Sequence, residues 1–228
     1  MTLLTWLEYR DQIKDDLDLQ DETFIDNTML MAWMNNAIDE AEQHILGRHE
    51  DYFLQNSNIA LVAGTSEYSL PSNILAHKIR RVFYDDGSNK YELKRIRNLS
   101  EIPLIETGEN YRYVLIANST GGHRLKLYPT SAETSSTNIS VWYIGNATRI
   151  TATSDTVNIP EAINFLLAAV KLECLRREGN PMQASMEAEK ERQKMLLVDT
   201  LTEIVPDDDN EIIPDLSFYN EFDINQGC

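Results

Sequence analysis

The residues able to do chemistry are few: four histidines, His44, His49, His77 and His123, two cysteines, Cys174 and Cys228, and several runs of carboxylates. His44 and His49 are five apart, so one helix does not stack them as an i, i+4 pair would. With Glu50 and Asp51 they could make a metal cluster, but such spacing better fits solvated residues at a helix-to-strand junction. His77 beside Lys78 and His123 after two glycines read as surface residues. Asp15-Asp16, Asp85-Asp86 and Asp207-Asp208-Asp209 could supply acid–base pairs. In a chain with 37 acids against 20 Lys and Arg, solvation is the better account of each. The sequence holds no Gly-rich phosphate loop, no Gly-x-Ser-x-Gly and no Cys-x-x-Cys. The reading is of an interaction protein rather than an enzyme, with no catalytic residue, metal or other cofactor.

Binding chemistry has more to work with. Arg80-Arg81 with Tyr84, and Lys94-Arg95 with Arg97, interleave cations and aromatics in a way that suits an acidic protein surface or nucleic acid. Strand alternation is expected to send Arg80 and Arg81 to opposite faces, preventing one flat patch. The same rule leaves only one of Trp142 and Tyr143 exposed, which weakens the alternative of a carbohydrate- or receptor-binding module. Cys174 and Cys228 are read as unpaired thiols in a reducing compartment.

Charge patterning is the strongest compositional signal. The 228 residues carry a net −17, which argues against a general duplex-binding protein, because that affinity rests on Lys and Arg neutralising phosphates. Residues 1–58 carry −10, residues 59–147 carry +2, residues 148–205 carry −2 and residues 206–228 carry −7. A nearly neutral centre between acidic ends marks a separate unit. No apolar run is long enough to span a membrane, and the first residues lack the basic region of a secretory signal.

The elements follow from periodicity. Thr2 or Thr5 can cap a first helix carrying Leu3, Trp6, Leu7, Ile13 and Leu17. Asp26 caps a longer helix with an apolar face of Met29, Leu30, Trp33, Ala37, Ile38, Ala41 and Ile45, ended by Gly47. Its other face offers Asn35, Asn36, Asp39, Glu40 and Glu42 to water or a partner. From Asn58 the period drops to about two, predicting six or seven short strands, with hairpins turning at Asp85–Asn89 and Asn118–Gly122. Pro160-Glu161 opens a third, strongly apolar helix over Ile163–Cys174. Gly179-Asn-Pro181 breaks it before a fourth helix from Ala184 to about Ile204, with Met186, Met195, Leu196, Val198 and Leu201.

The expected fold is therefore α+β. Residues 1–57 and 151–205 form one helical bundle, residues 58–150 an inserted antiparallel β-sandwich-like domain, and residues 206–228 an extended acidic C-terminal arm. The arm's Ile212, Ile213, Leu216, Phe218, Tyr219, Phe222 and Ile224 are more apolar than a solvating tail requires, which suits docking on a neighbour.

Three segments resemble a known family. Phe24-Ile-Asp26 followed by Leu30-Met-Ala-Trp33-Met-Asn35-Asn36-Ala37-Ile-Asp-Glu40-Ala is similar to the second helix of tailed-bacteriophage head–tail adaptor (connector) proteins. Ala63-Gly64-Thr-Ser-Glu-Tyr68-Ser-Leu70-Pro71 resembles their entry into the β domain, and Ile159-Pro160-Glu161 their return to the bundle. The resemblance implies a virion structural protein at the capsid vertex, made in the host cytoplasm. Such proteins form a homo-oligomeric ring, typically dodecameric, beneath the portal protein, dock tail or nozzle proteins, and let double-stranded DNA pass through the centre without specific binding. Another neck or tail subunit is the alternative within that class. In such a ring, Asp39, Glu40 and Glu42 would face the lumen or a subunit boundary. The acidic bundle would meet Arg80, Arg81, Lys94 and Arg95 of the next copy, one surface fitting an unlike one.

Overall fold

The computed structural model describes residues 3–19, 24–98, 100, 102, 111–117, 122–132 and 134–204. Among these, α1 (Trp6–Asp16) and α2 (Asn27–Leu46) precede eight strands, and α3 (Ile163–Glu178) and α4 (Gln183–Ile204) follow them. The strands are β1 (Leu54–Leu61), β2 (Glu67–Ser69), β3 (Ile74–Asp85), β4 (Lys90–Glu92), β5 (Lys94–Arg95), β6 (Arg112–Ala117), β7 (His123–Tyr128) and β8 (Ser135–Gly145). The chain is α+β.

Local chemistry explains the helix starts. Thr5, rather than Thr2, caps α1: its hydroxyl accepts from the Glu8 amide while the Glu8 carboxylate accepts from the Thr5 amide, a reciprocal capping box. Asp26 caps α2 through the Met29 amide at 2.7 Å. Gly47 does end α2, but in a right-handed conformation, whereas Gly179 ends α3 in a left-handed one, at φ 68°.

All four helices contribute to one apolar cluster. It holds Trp6, Tyr9 and Ile13 of α1, Leu30, Met34, Ile38, Ala41 and Ile45 of α2, Phe165, Leu166 and Val170 of α3, and Leu197 and Leu201 of α4. Several expected faces are rotated. On α1, Tyr9 takes the inward place while Leu7 is exposed, as is Leu3 ahead of the helix; on α2, Met34 is buried and Trp33 sits at the cluster's edge. On α4, Leu197 is buried and Met195 and Leu196 face out. α3 is buried on several sides, which matches its almost uninterrupted apolar run.

The strands form two four-stranded sheets, ordered β1-β8-β3-β4 and β2-β7-β6-β5. The two sheets share an apolar cluster that includes Leu61, Val82, Ile139, Val141 and Tyr143 from the first and Tyr68, Tyr113, Leu125 and Leu127 from the second. Both expected hairpins pair, β3 with β4 and β6 with β7. Three strand expectations change. β1 begins at Leu54, ahead of the shift in period at Asn58, because Leu54–Ser57 lie where one face is only half-buried and the sequence has no apolar alternation to show. The return strand of the Asp85–Asn89 hairpin is cut short: β4 ends at Glu92, and the buried Leu93 turns the chain from the first sheet into the second. The sheets are also not antiparallel throughout, since β5 pairs parallel with β6. The intervening residues 96–111 are long enough for the crossover that a parallel pair needs.

Candidate interaction surfaces

The polar face of α2 was expected to meet water, a lumen or a second copy. In the folded chain it grips the segment returning from β8. Asn35 pairs with the backbone of Ile150, Asp39 forms a 2.6 Å ion pair with Arg149, and Glu42 accepts from the Ala147 amide at 2.7 Å. These three residues are spaced i, i+4, i+7, so one stripe of the helix meets 150, 149 and 147 in reverse order. Burial is the main cause that pushes the Glu42 carboxyl above the ordinary range, opposed by its bond to Ala147. Glu40 lies on the adjoining stripe, where Lys190 of α4 reaches it at 2.7 Å and His44 at 3.7 Å.

The returning segment is itself held tightly. Asp155 accepts from the amides of Thr151 and Ala152 and from the Thr151 hydroxyl, which lowers its pKa. The carbonyls of Asp155 and Thr153 accept from the Trp6 and Leu7 amides at the start of α1. Residues 147–156 therefore fasten the β-to-α return to both N-terminal helices.

The histidines go separate ways. His44 stands edge-on to Phe165 and His49 to Tyr52, while Glu50 and Asp51 are taken up by Arg80. No group of three or more potential metal ligands occurs among the described residues. No described helix is long and apolar enough to cross a membrane. Cys174 is buried, and that burial raises its thiol to about 12.

The basic residues divide between paired and unpaired ones. Arg80 bonds Glu50 and Asp51, each at 2.7 Å, and Lys78 adds a 3.2 Å contact to Glu50. The Arg80 guanidinium and then Lys78 hold the Glu50 carboxyl below its ordinary range. Arg80 and Lys78 thus have acidic partners within the chain, at the α2–β1 junction. A bulge also overturns the alternation of Arg80 and Arg81. Ile79 sits opposite Tyr143 and Arg81 opposite Trp142, leaving Arg80 as an extra residue between two paired ones. Both arginines consequently line one groove of about 830 Å³.

This groove lies on the face of the first sheet turned away from the second. Leu54, Phe83 and Trp142 supply its apolar wall, with Arg81 and Lys90 beside them. Trp142 is 38% exposed while Tyr143 is buried, as alternation requires. Among the described residues Arg81 has no carboxylate partner, and Lys90 reaches Asp85 only at 3.7 Å. Lys94 and Arg95 are exposed on β5, away from this sheet. Sequence reasoning missed Leu54, Phe83 and Lys90; only the alternation of Arg-Val-Phe on β3 hinted at Phe83. Ile212, Ile213, Leu216, Phe218, Tyr219, Phe222 and Ile224 lie outside the described residues.

The chain has no match among curated proteins. The family model described as SU10 adaptor protein matches residues 4–211, spanning both helical segments and all the strands between them. On that match the chain belongs to the SU10 adaptor protein family, in keeping with its resemblance to phage head–tail adaptors.

Proposed function

We propose that this chain is a non-enzymatic head–tail adaptor whose copies form a ring, dodecameric as in the proteins it resembles, beneath the portal of a phage capsid. The ring docks tail or nozzle proteins and lets double-stranded DNA pass. In this reading the cluster shared by the four helices is the core of one bundle, made from residues 1–57 and 151–205. The cluster between the sheets is then that of an inserted sandwich, residues 58–150. Residues 206–228 are an arm for the portal or a neighbouring copy.

The observation that carries this reading is the uneven commitment of charge. Asp39, Glu40, Glu42 and Arg80 are spent on internal contacts, whereas Arg81, Lys94 and Arg95 have no carboxylate within ion-pair distance among the described residues. A closed ring requires two unlike surfaces, and cations on both sheets, Arg81 on the first and Lys94 and Arg95 on the second, are available to such a contact on a chain of net −17. The overall negative charge also suits a channel wall, which should repel phosphates rather than hold them.

The direct test is to image necks of assembled particles with this chain tagged, and to mix purified chain with portal rings and with tail protein. Density of the tag at the portal-proximal neck and retention by portal rings are expected. Absence from particles overturns the proposal, and retention by tail protein alone moves the chain to a lower position in the neck.

A further inference from the structure

We propose that the groove on the first sheet is the seat of this chain's own C-terminal segment, residues 212–224. The inference rests on the reading of residues 206–228 as an arm, and it names where the arm rests in the free chain, before the portal or a neighbouring copy takes it up.

Two features of the groove ask for a particular occupant. Its apolar wall of Leu54, Phe83 and Trp142 leaves large side chains in contact with water, and a cleft of about 830 Å³ is of the size that accepts a few side chains. Its charge is positive where it is not already neutralised. The acids at its rim, Glu50 and Asp51, are bound by Arg80 and Lys78, so Arg81 is the charge presented to an incoming ligand, with Lys90 beside it shared with Asp85 at 3.7 Å. The complementary partner is a peptide with spaced aromatic and aliphatic residues and carboxylates between them.

Residues 206–228 have that composition: seven acids, no base, and Leu216, Phe218, Tyr219, Phe222 and Ile224 spaced through polar positions. Aromatic anchors in an apolar cleft, with carboxylates near an arginine, are the usual makings of a peptide site.

Geometry selects the chain's own segment over a neighbour's. α4 runs back along α3, with Glu187 bonded to Arg176 and Lys190 over the Phe165 ring, until it touches the 3-10 turn Pro160–Ala162. Glu161 of that turn accepts a hydrogen bond from the Tyr52 hydroxyl. Tyr52 lies between Asp51 and Leu54, both of which line the groove. This turn thus joins α4 to the stretch Asp51–Leu54 that borders the groove. The 12 residues from Ile204 to Leu216 can span up to about 40 Å at ~3.3–3.6 Å each. A tether this short gives an effective concentration in the millimolar range, which a free neighbour does not match in dilute solution.

The test uses the full chain with a benzophenone amino acid at position 83, or at position 140 should the first variant misfold. Equal amounts of unlabelled and 15N-labelled chain are mixed in dilute solution and irradiated, and the cross-linked peptides are identified by mass spectrometry. Cross-links to peptides within residues 206–228, each pair carrying a single isotope, are expected. Arg81→Glu in the same background should lower their yield about tenfold, the loss of one charge-assisted contact. Pairs of mixed isotope overturn the assignment to the chain's own segment and give the groove to a neighbouring copy. No cross-link to 206–228, or a yield indifferent to Arg81→Glu, overturns the groove as its seat. Presence of the unmodified chain in assembled necks is read separately, so failure here does not decide the adaptor role.

Discussion

Asn35 and Ile150, 115 residues apart, satisfy one another: the Asn35 amide donates to the Ile150 carbonyl at 3.0 Å, and its oxygen accepts from the Ile150 amide at 2.8 Å. Ile150 itself is buried in the helical cluster, so its peptide groups have no ready access to water. One side chain thereby closes the β-to-α return on α2.

Replacing Asn35 with Ala leaves both Ile150 backbone groups without this partner. A loss of about 2 kcal/mol is expected from two such bonds. Asn35→Asp restores the acceptor but not the donor, and should be destabilising too. Urea unfolding of the three proteins checks this; equal midpoints would show the pairing to be dispensable.

Glu42 makes stability depend on pH. Its folded-state pKa is raised above the ordinary 4.5, chiefly by burial, so the native state keeps its proton longer than the unfolded chain does. Native stability from this group is greatest below the unfolded value and declines as pH rises from 4.5 through the raised value. Glu42→Gln retains an oxygen for the Ala147 amide and removes the charge. The stability of the variant relative to the parent should therefore climb as pH rises from the ordinary 4.5 through the raised value, then level off. Parallel stability curves would contradict this.

The two N-terminal tryptophans should differ in energy. Trp6 is 1% exposed and Trp33 only borders the cluster. Trp6→Ala should cost roughly 3–5 kcal/mol and Trp33→Ala clearly less, read from thermal midpoints. A larger loss at Trp33 would reverse the assignment of the α2 face.

Cys174 should be chemically silent in the native protein. Its thiol is buried and raised to about 12, so almost no thiolate exists near neutral pH. Iodoacetamide should leave the peptide containing Cys174 unlabelled until urea is added. Native labelling at that site would show that α3 opens readily.

Deleting residues 206–228 should leave a folded chain, because both apolar clusters lie within residues 6–201, with the unfolding midpoint lowered only by the lost groove contact. Incorporation into particles should fall. Normal incorporation of the shortened chain would remove the arm from the assembly mechanism.

Much of the local structure was legible because it depends on neighbours in sequence. The Thr5 and Asp26 caps, the hairpins around Asp85–Asn89 and Asn118–Gly122, and the apolar α3 all follow from turn chemistry and short-range periodicity. Helix phase was less legible where two apolar residues compete for one face. Tyr9 displaced Leu7, Met34 displaced Trp33 and Leu197 displaced Leu196, each settled by what packs opposite.

The sequence by itself determined that helices flank a run of strands, that charge divides along the chain, and that it lacks the motifs of familiar chemistries. Only the tertiary structure decided what the charges do. Asp39, Glu40 and Glu42 became internal fasteners because residues 147–150 and α4, distant in sequence, pack against α2. Arg80 and Arg81 share a groove because one residue bulges where β3 meets β8. Pairing partners and register are long-range properties, and a period read along one strand carries no record of them.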